Sequence, residues 1–546
     1  MKNACVVIAI GRRTLCRAAP LLVSALGLLI LLSCGGRGHA PRPGTVVVGL
    51  SGDFDSLNEL NAADADAVQA IQYLLFLSLT TLDANLQFAP QLAESWEFDA
   101  GDTLLTFRLR RDIFWSDGVP TTAHDVRFTY ELAVDSTVAY PAHSRFELTT
   151  AVSVPDDYTV RFHFKRPYAD ALFDTQMPIL PRHLLAHLPR EQLATCEFNR
   201  RPIGNGPFRL LEWRANQHLI FVANEKFAPG RPALDRLIFQ IIPDETALVT
   251  ALLTGQIDVA PGLSPAAFQQ LAGQAQRRTG QPQRVKLQMI RYPGRSYTFI
   301  AWNNARPLFS RPLRQALTHA INKQEIITTL LAGHARPAVG PLPPYAWAYD
   351  HDLHDLPFDP QLARNLLRQE GWHDSDGDSV LERQGQKLEF TLITNADNPL
   401  RRDVAVMVQA QLRKIGVRVK VEAVGWPRLL QQVMAQRDFD ALLAAWEADF
   451  AVNPAPLWHS QAITLGYNLI SYRNARVDSL LQQARALPDR RHAMPLWREF
   501  QRLILEDCPY TFLFIEERLA AAHSRVHNLN MDVRGWLANV RQWRVE

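Results

Sequence analysis

From Thr45 to Trp446 short β-branched runs and helix-period segments alternate along one chain, and that alternation constrains the fold more than any other feature. TVVVGL at Thr45–Leu50 reads as a first strand, and Leu104–Leu109 and Tyr158–Phe164 (YTVRFHF) repeat the two-residue period of a strand. Further strands are expected at Leu219–Ala223, Leu237–Ile242, Tyr297–Trp302, Leu388–Thr394, Val417–Val424 and Asp440–Trp446. Helical spacing is seen over Ala65–Leu79, through Val68, Ile71, Leu74, Leu75 and Leu79. It is seen again at Thr122–Ala133, capped by Thr121 or Thr122, and at Thr246–Thr254, Pro312–Ala320, Pro360–Gln369 and Asp403–Ile415. Strands interspersed with helices place the chain in the α/β class. A single core rarely exceeds about 300 residues, so 546 residues imply two or three lobes.

The first 33 residues do not belong to that fold. An apolar run from Ala19 to Leu32 follows Lys2, Arg12, Arg13 and Arg17 with no acid between them, which describes an export signal. The run is short for a membrane span. Its end, Leu31-Leu32-Ser33-Cys34, resembles the lipobox of bacterial lipoproteins, in which Cys34 becomes the lipidated first residue. Residues 1–33 are then a signal peptide and 34–44, rich in Gly, Arg, Pro and His, a lipidated tether. Loss of the four N-terminal bases takes the net charge from +3 to −1, which gives no electrostatic reason for a nucleic-acid partner. Cys196 and Cys508 remain, either as a pair or as two buried thiols.

Three groups of motifs carry a resemblance over roughly residues 45 to 530. The first is Ala89–Glu97 (APQLAESWE), Thr106–Arg111, Phe114–Pro120 (FWSDGVP) and Thr122-Ala-His-Asp-Val126. The second is Pro202–Phe208 (PIGNGPF), Asn224-Glu-Lys226 and Leu252–Asp258 (LLTGQID). The third includes Trp302-Asn303-Asn304, Ala320-Ile-Asn322, Gly371-Trp372, Gly416-Val417 and Phe439-Asp440, leading to Trp446-Glu-Ala-Asp449. Together they resemble the extracytoplasmic solute-binding proteins of the peptide/nickel ABC importer class. That resemblance implies an α/β, two-lobed periplasmic-binding-protein-like clamp with three domains and an interlobe ligand cleft. Domain I would take residues 45–80, 205–300 and 510–546, domain II 81–204, and domain III 301–509.

The resemblance also implies a function without chemistry: a monomeric receptor, lipid-anchored outside the cytoplasmic membrane, that closes on short peptides and delivers them to an ABC permease. A nickel chelate, an oligosaccharide, an opine or a sensor role are the alternatives. Asp449 would meet a ligand's α-ammonium, and Trp446 would offer an indole face. Trp302 and Asn303, at a strand end, would pair with an extended ligand backbone, and Asp53 would sit in a binding loop after the first strand. The strand Ala441–Ala445 lacks the basic residues that oligopeptide-binding relatives place ahead of the tryptophan, leaving Arg437, Arg401 and Arg402 as the nearest bases. No cofactor is expected and no metal. Asp374-Ser-Asp376-Gly-Asp378 opens like a calcium loop, but Gly385 stands where the twelfth-position glutamate belongs, with Glu382 nearby. A surface turn is the expectation there. His183 with His187, and His351 with His354, lack a third ligand in sequence. No hydrolase elbow or metalloprotease helix is present in the sequence.

Overall fold

The computed structural model describes residues 43–138, 140–277 and 286–546. The signal segment, Cys34 and nearly all of the tether lie outside the described residues. No helix among the described residues is long and apolar enough to cross a membrane.

Among the described residues, eleven strands form one mixed sheet. From one edge its order is Arg418–Val424, Glu389–Asn395, Ala441–Glu447, Leu287–Trp302, Tyr510–His523, Val259–Ala260, Thr45–Leu50, Arg236–Ile241, His218–Ala223 and Phe208–Arg214, with Ala335–Pro337 pairing onto Tyr510–His523. Thr45–Leu50 runs parallel to Arg236–Ile241, and only its third residue is less than buried. A strand covered on both faces needs apolar residues throughout, hence TVVVGL. At the centre, Leu287–Trp302 and Tyr510–His523 lie antiparallel from Leu287↔His523 to Ala301↔Tyr510. They belong to both halves of the sheet and join them.

A second, four-stranded antiparallel sheet has the order Ala93–Phe98, Leu104–Leu109, Thr159–Phe164, Thr149–Asp156. Helix Ala123–Val134 packs on it and begins with a capping box, in which the Thr122 amide donates to Asp125 Oδ2 at 2.8 Å. Asp125 Oδ1 accepts the Arg182 amide at 2.9 Å, so the acid of the Thr-Ala-His-Asp motif ties the helix start to a later loop. One core runs continuously from Val46, Val48 and Phe239 to Phe107 and Phe162 of this smaller sheet and to Trp115, which follows its Leu104–Leu109 strand. Two further cores, around Trp458 and Trp497 and around Trp302 and Phe390, fill the other half of the large sheet.

The expected helix over Ala65–Leu79 is shorter than its periodicity suggested. It is α-helical at Ala65–Ala70, widens to a π-turn at Ile71–Leu75 and is extended from Phe76. The reason is a chain crossing. The Leu75 carbonyl accepts the Gly206 amide at 2.8 Å, and the Leu77 amide donates to Asn205 Oδ1 at 2.8 Å. Leu74, Leu75, Phe76, Leu77 and Leu79 are all 0–2% exposed, so their apolar run reflects burial on every side rather than one helical face. Cys196 and Cys508 are both free thiols, the latter buried with its thiol pushed up to about 11 by desolvation.

Gly204 shows what the Pro-Ile-Gly-Asn-Gly-Pro-Phe segment is for. A Cβ there would collide with the Leu75 carbonyl oxygen, a backbone atom fixed by the crossing. Gly204→Ala is expected to destabilise the protein by about 2 kcal/mol or more. Urea unfolding measures this, and a wild-type midpoint in the variant would contradict the crossing geometry.

Candidate interlobe binding site

The segment carrying the smaller sheet meets the Ala441–Glu447 half of the large sheet along a polar seam. Arg145, on a single helical turn at His143–Phe146, donates from Nη2 to Asp449 Oδ2 at 3.2 Å. Its Nη1 is held by the Gln176 carbonyl at 2.9 Å. Asp170 reaches the other way: Oδ2 accepts the Val452 amide at 2.9 Å and Oδ1 accepts the Trp347 indole N–H at 3.2 Å. Arg490 stands 3.9 Å from Asp170 and lies over the rings of Trp347 and Phe173, at 4.9 and 5.7 Å. The space left among Arg145, Tyr168, Asp170, Asp174, Trp347 and Arg485 is only about 40 Å³. Small-molecule pockets run to about 300–1,000 Å³, so at this point entry of a solute requires the halves to part.

Five side chains at or beside this seam, Glu59, Tyr140, Tyr168, Asp170 and Asp174, are acids or phenols removed from water. Tyr140 donates to Glu59 at 2.8 Å, and burial pushes Glu59 up to about 7 despite that bond and the nearby Arg145 charge. Asp174 is likewise pushed up to about 7 by burial, against the opposing effects of the Tyr168 hydroxyl at 2.6 Å and of Arg145. Asp170 is raised by burial, partly offset by Arg490, the Val452 amide and the Trp347 indole. Burial opposes the Arg145 charge, but Asp449, Tyr140, Asp174 and Glu59 together raise it.

Of the residues singled out in the sequence, Asp449 and Trp446 lie at or near this seam. The Asp449 side chain is 55% exposed and faces the opposite half, while its Oδ1 accepts the Phe450 amide at 2.7 Å. Trp446 is half-buried: its ring lies nearly parallel to Phe299 at 6.1 Å and edge-on to the exposed Tyr467 at 5.9 Å. The other three are engaged inside the fold. Trp302 is 0% exposed, and its indole N–H donates to Thr511 at 3.0 Å. Asn303 is 2% exposed, donating to the Phe439 carbonyl at 2.7 Å and accepting the Ala305 amide at 3.1 Å. Asp53 accepts the Trp213 indole at 3.0 Å and the Asn216 amide at 2.8 Å, locking the loop after the first strand to a hairpin. In this conformation the polar side-chain atoms of these three are paired within the protein.

Arg437, the base nearest the apolar strand, donates to the carbonyls of Asn468 and Ile463. Arg401 donates to Asn395 Oδ1 at 2.9 Å. The residues that sequence reasoning missed are Arg145, Glu59, Asp170 and Asp174. Only the last two had a readable signal, two acids at helical spacing in the otherwise apolar Tyr168–Asp174 (YADALFD).

Residues 87–464 match the family described as bacterial extracellular solute-binding proteins, family 5 Middle. The chain belongs to that family. It is 33% identical over 516 residues to the oligopeptide-binding protein AppA of Bacillus subtilis (strain 168), covering 93% of this chain and 92% of AppA. The structure of Bacillus subtilis AppA in complex with a nonapeptide superposes with a TM-score of 0.76 at 31% identity, over 92% of this chain and 99% of that one. The structure of NikZ from Campylobacter jejuni in complex with Ni(L-His) superposes with a TM-score of 0.77 at 26% identity, over 92% and 100%. The fold is therefore the multi-domain α/β clamp of periplasmic binding proteins, and the resemblance drawn from the motifs holds across the folded chain. This family-5 protein is an extracytoplasmic solute receptor of an ABC importer, and the family and fold are those of non-catalytic transport proteins.

The buried acids give the seam a pH dependence of definite sign. Their ordinary values are 4.5 for Glu59 and 3.8 for Asp174, both raised to about 7 in the fold. Between those limits the native state holds protons that the unfolded chain has released. Their contribution to stability is complete below the unfolded values and is lost as pH rises through about 7. The full shifts correspond to at most about 3 kcal/mol for Glu59 and about 4 kcal/mol for Asp174. Unfolding free energies at pH 5, 6, 7 and 8 should fall more steeply in the wild type than in Glu59→Gln, and parallel curves would refute the assignment.

Proposed function

We propose that this protein captures short peptides between its halves and hands them to a membrane permease, with Asp449 taking the peptide's α-ammonium and Trp446 flanking a neighbouring side chain. The observation that carries this is the pairing of Asp449 with Arg145: an acid that faces the opposite half and already holds a cation there. A free peptide amine brings the same charge and three N–H donors of its own. Closure then withdraws the pair from water and strengthens it. A relative's ability to bind an oligopeptide, over nine-tenths of the chain, supports the same ligand class.

On this reading the working unit is a monomer in three domains, I at 45–80, 205–300 and 510–546, II at 81–204 and III at 301–509. A lipid on Cys34 holds it at the membrane, and the tether lets it reach the permease. The support for the anchor is the Leu31-Leu32-Ser33-Cys34 exit of the export segment. Cys34→Ser should move the protein from the membrane fraction to the soluble extracytoplasmic fraction in detergent phase partitioning. Retention in the detergent phase would exclude Cys34 as the anchor.

Ligand class is tested by thermal shift and calorimetry with tripeptides to nonapeptides, their N-acetylated forms, and nickel-histidine. Free-amine peptides should raise the melting temperature in a saturable way. N-acetylation, and separately Asp449→Asn, should each weaken binding about tenfold or more, which is about 1.4 kcal/mol. Stabilisation by nickel-histidine without any response to peptides would overturn the peptide reading. Equal affinity for free and acetylated peptides would remove the Asp449 contact alone.

A further inference from the structure

We propose that Asp374, Asp376 and Glu382 form a calcium site. They lie in the loop between helix Pro360–Gln369 and the short hairpin Glu382–Arg383/Gln386–Lys387. Each offers a carboxylate oxygen, and the three oxygens lie within 4.8 Å of one another. Two oxygens on opposite sides of one calcium ion are about 4.6–5.2 Å apart, twice the usual Ca–O distance, so the three oxygens stand close enough to share one ion.

Acids clustered on a surface loop repel one another and need no ion, so the deciding residue is Glu382. It is only 8% exposed, and the Glu382 amide and carbonyl both pair with His373. One carboxylate oxygen accepts the Ser375 amide at 2.6 Å and the Ser375 hydroxyl. The other, Oε2, is buried and has no hydrogen-bond partner among the described residues. Half of a buried carboxylate left unmatched is costly, and a cation among Asp374 and Asp376 removes that cost.

The charge balance also calls for two positive charges. Asp374, Asp376, Asp378 and Glu382 carry four negative charges. Lys387 reaches Asp376 at 2.8 Å and also contacts Asp378, and Arg418 reaches Asp378 at 3.1 Å while also pairing with Glu389 at 3.3 Å, which leaves at least two negative charges unbalanced. The donor set is all oxygen with no imidazole or thiolate, as a hard divalent cation requires. The Asp374 oxygens also accept the amides of Gly377 at 2.8 Å and Ser379 at 3.0 Å, which orders the loop and leaves lone pairs for a metal. Extracellular calcium modules commonly bind at about 0.1–1 mM, which suits a protein working outside the cytoplasmic membrane.

The test uses the purified full chain without peptide, so it is independent of the ligand reading. Protein stripped with EDTA is titrated with CaCl2 or MgCl2 and its melting temperature followed. Calcium should raise the midpoint by about 3 °C or more with saturation near millimolar concentration, and magnesium should need at least about tenfold more. Glu382→Gln should lose the calcium response, and Asp374→Asn, an exposed change that leaves the buried contacts of Glu382 in place, should lose or weaken it. No calcium-dependent shift in the wild type, or an undiminished shift in Asp374→Asn, overturns the site.

Discussion

The pairing of Leu287–Trp302 with Tyr510–His523 sets what the rest of the molecule can do, because these two strands belong to both halves of the large sheet. Between Pro293 and Tyr297 their register breaks, and the pairing shifts from Pro293↔Glu517 to Tyr297↔Ile515. A bulge of this kind drops ladder bonds and bends the strand. Gly294 sits in it, at a point where a Cβ would stand 2.6 Å from the Glu516 carbonyl oxygen. On one side of the break the strands pack with Val259, Leu263 and Leu271, and on the other with Trp458 and Phe390. The joint thus departs from regular pairing at two places, between Pro293 and Tyr297 and between Thr298 and Phe299, and the wider departure lies between two separately cored halves. That is the mechanical requirement of a clamp.

The seam that this joint closes is built to come apart. It is polar: Arg145 with Asp449, Asp170 with the Val452 amide, Arg490 over Trp347. Half-exposed ion pairs contribute about 0–1 kcal/mol each, and burial pushes the neighbouring acids Glu59 and Asp174 up to about 7. An apolar seam of equal area would resist parting through the hydrophobic effect, whereas polar groups on a parted seam are taken up by water. A solute then shifts the balance by whatever it binds more tightly in the closed form.

What was legible in the sequence follows the same division between local and long-range physics. Thr122-Ala-His-Asp specified its helix because a capping box is a local device, and TVVVGL specified a doubly covered strand because burial shows in every residue. Phe76–Leu79 misled because a buried crossing and a helix face are both apolar, and only Asn205 and Gly206, some 130 residues later, decide between them. Trp302 and Asn303 stand at a strand end near the junction, yet Thr511 and the Phe439 carbonyl claim their polar atoms first. Arg145 could not be read at all, since its partner lies 304 residues away. At Asp374–Glu382 the pattern was visible but the burial of Glu382 was not, and that burial separates an ordinary acidic turn from a place with room for a cation.

If Asp449 is the ammonium contact, its pairing with Arg145 has a consequence for selectivity. A guanidinium from the protein itself occupies the acid when the halves meet, so a solute amine must displace it or share the carboxylate's second oxygen, which now caps Phe450. A lone cation that only replaces Arg145 gains little, because one charge-assisted bond is exchanged for another. A peptide gains more: its backbone and side chains add contacts along the seam, and its carboxyl end offers the displaced Arg145 a new partner. Free amines and small cations are then discriminated against by the protein's own arginine, and ligands carrying both charges on an extended chain are favoured.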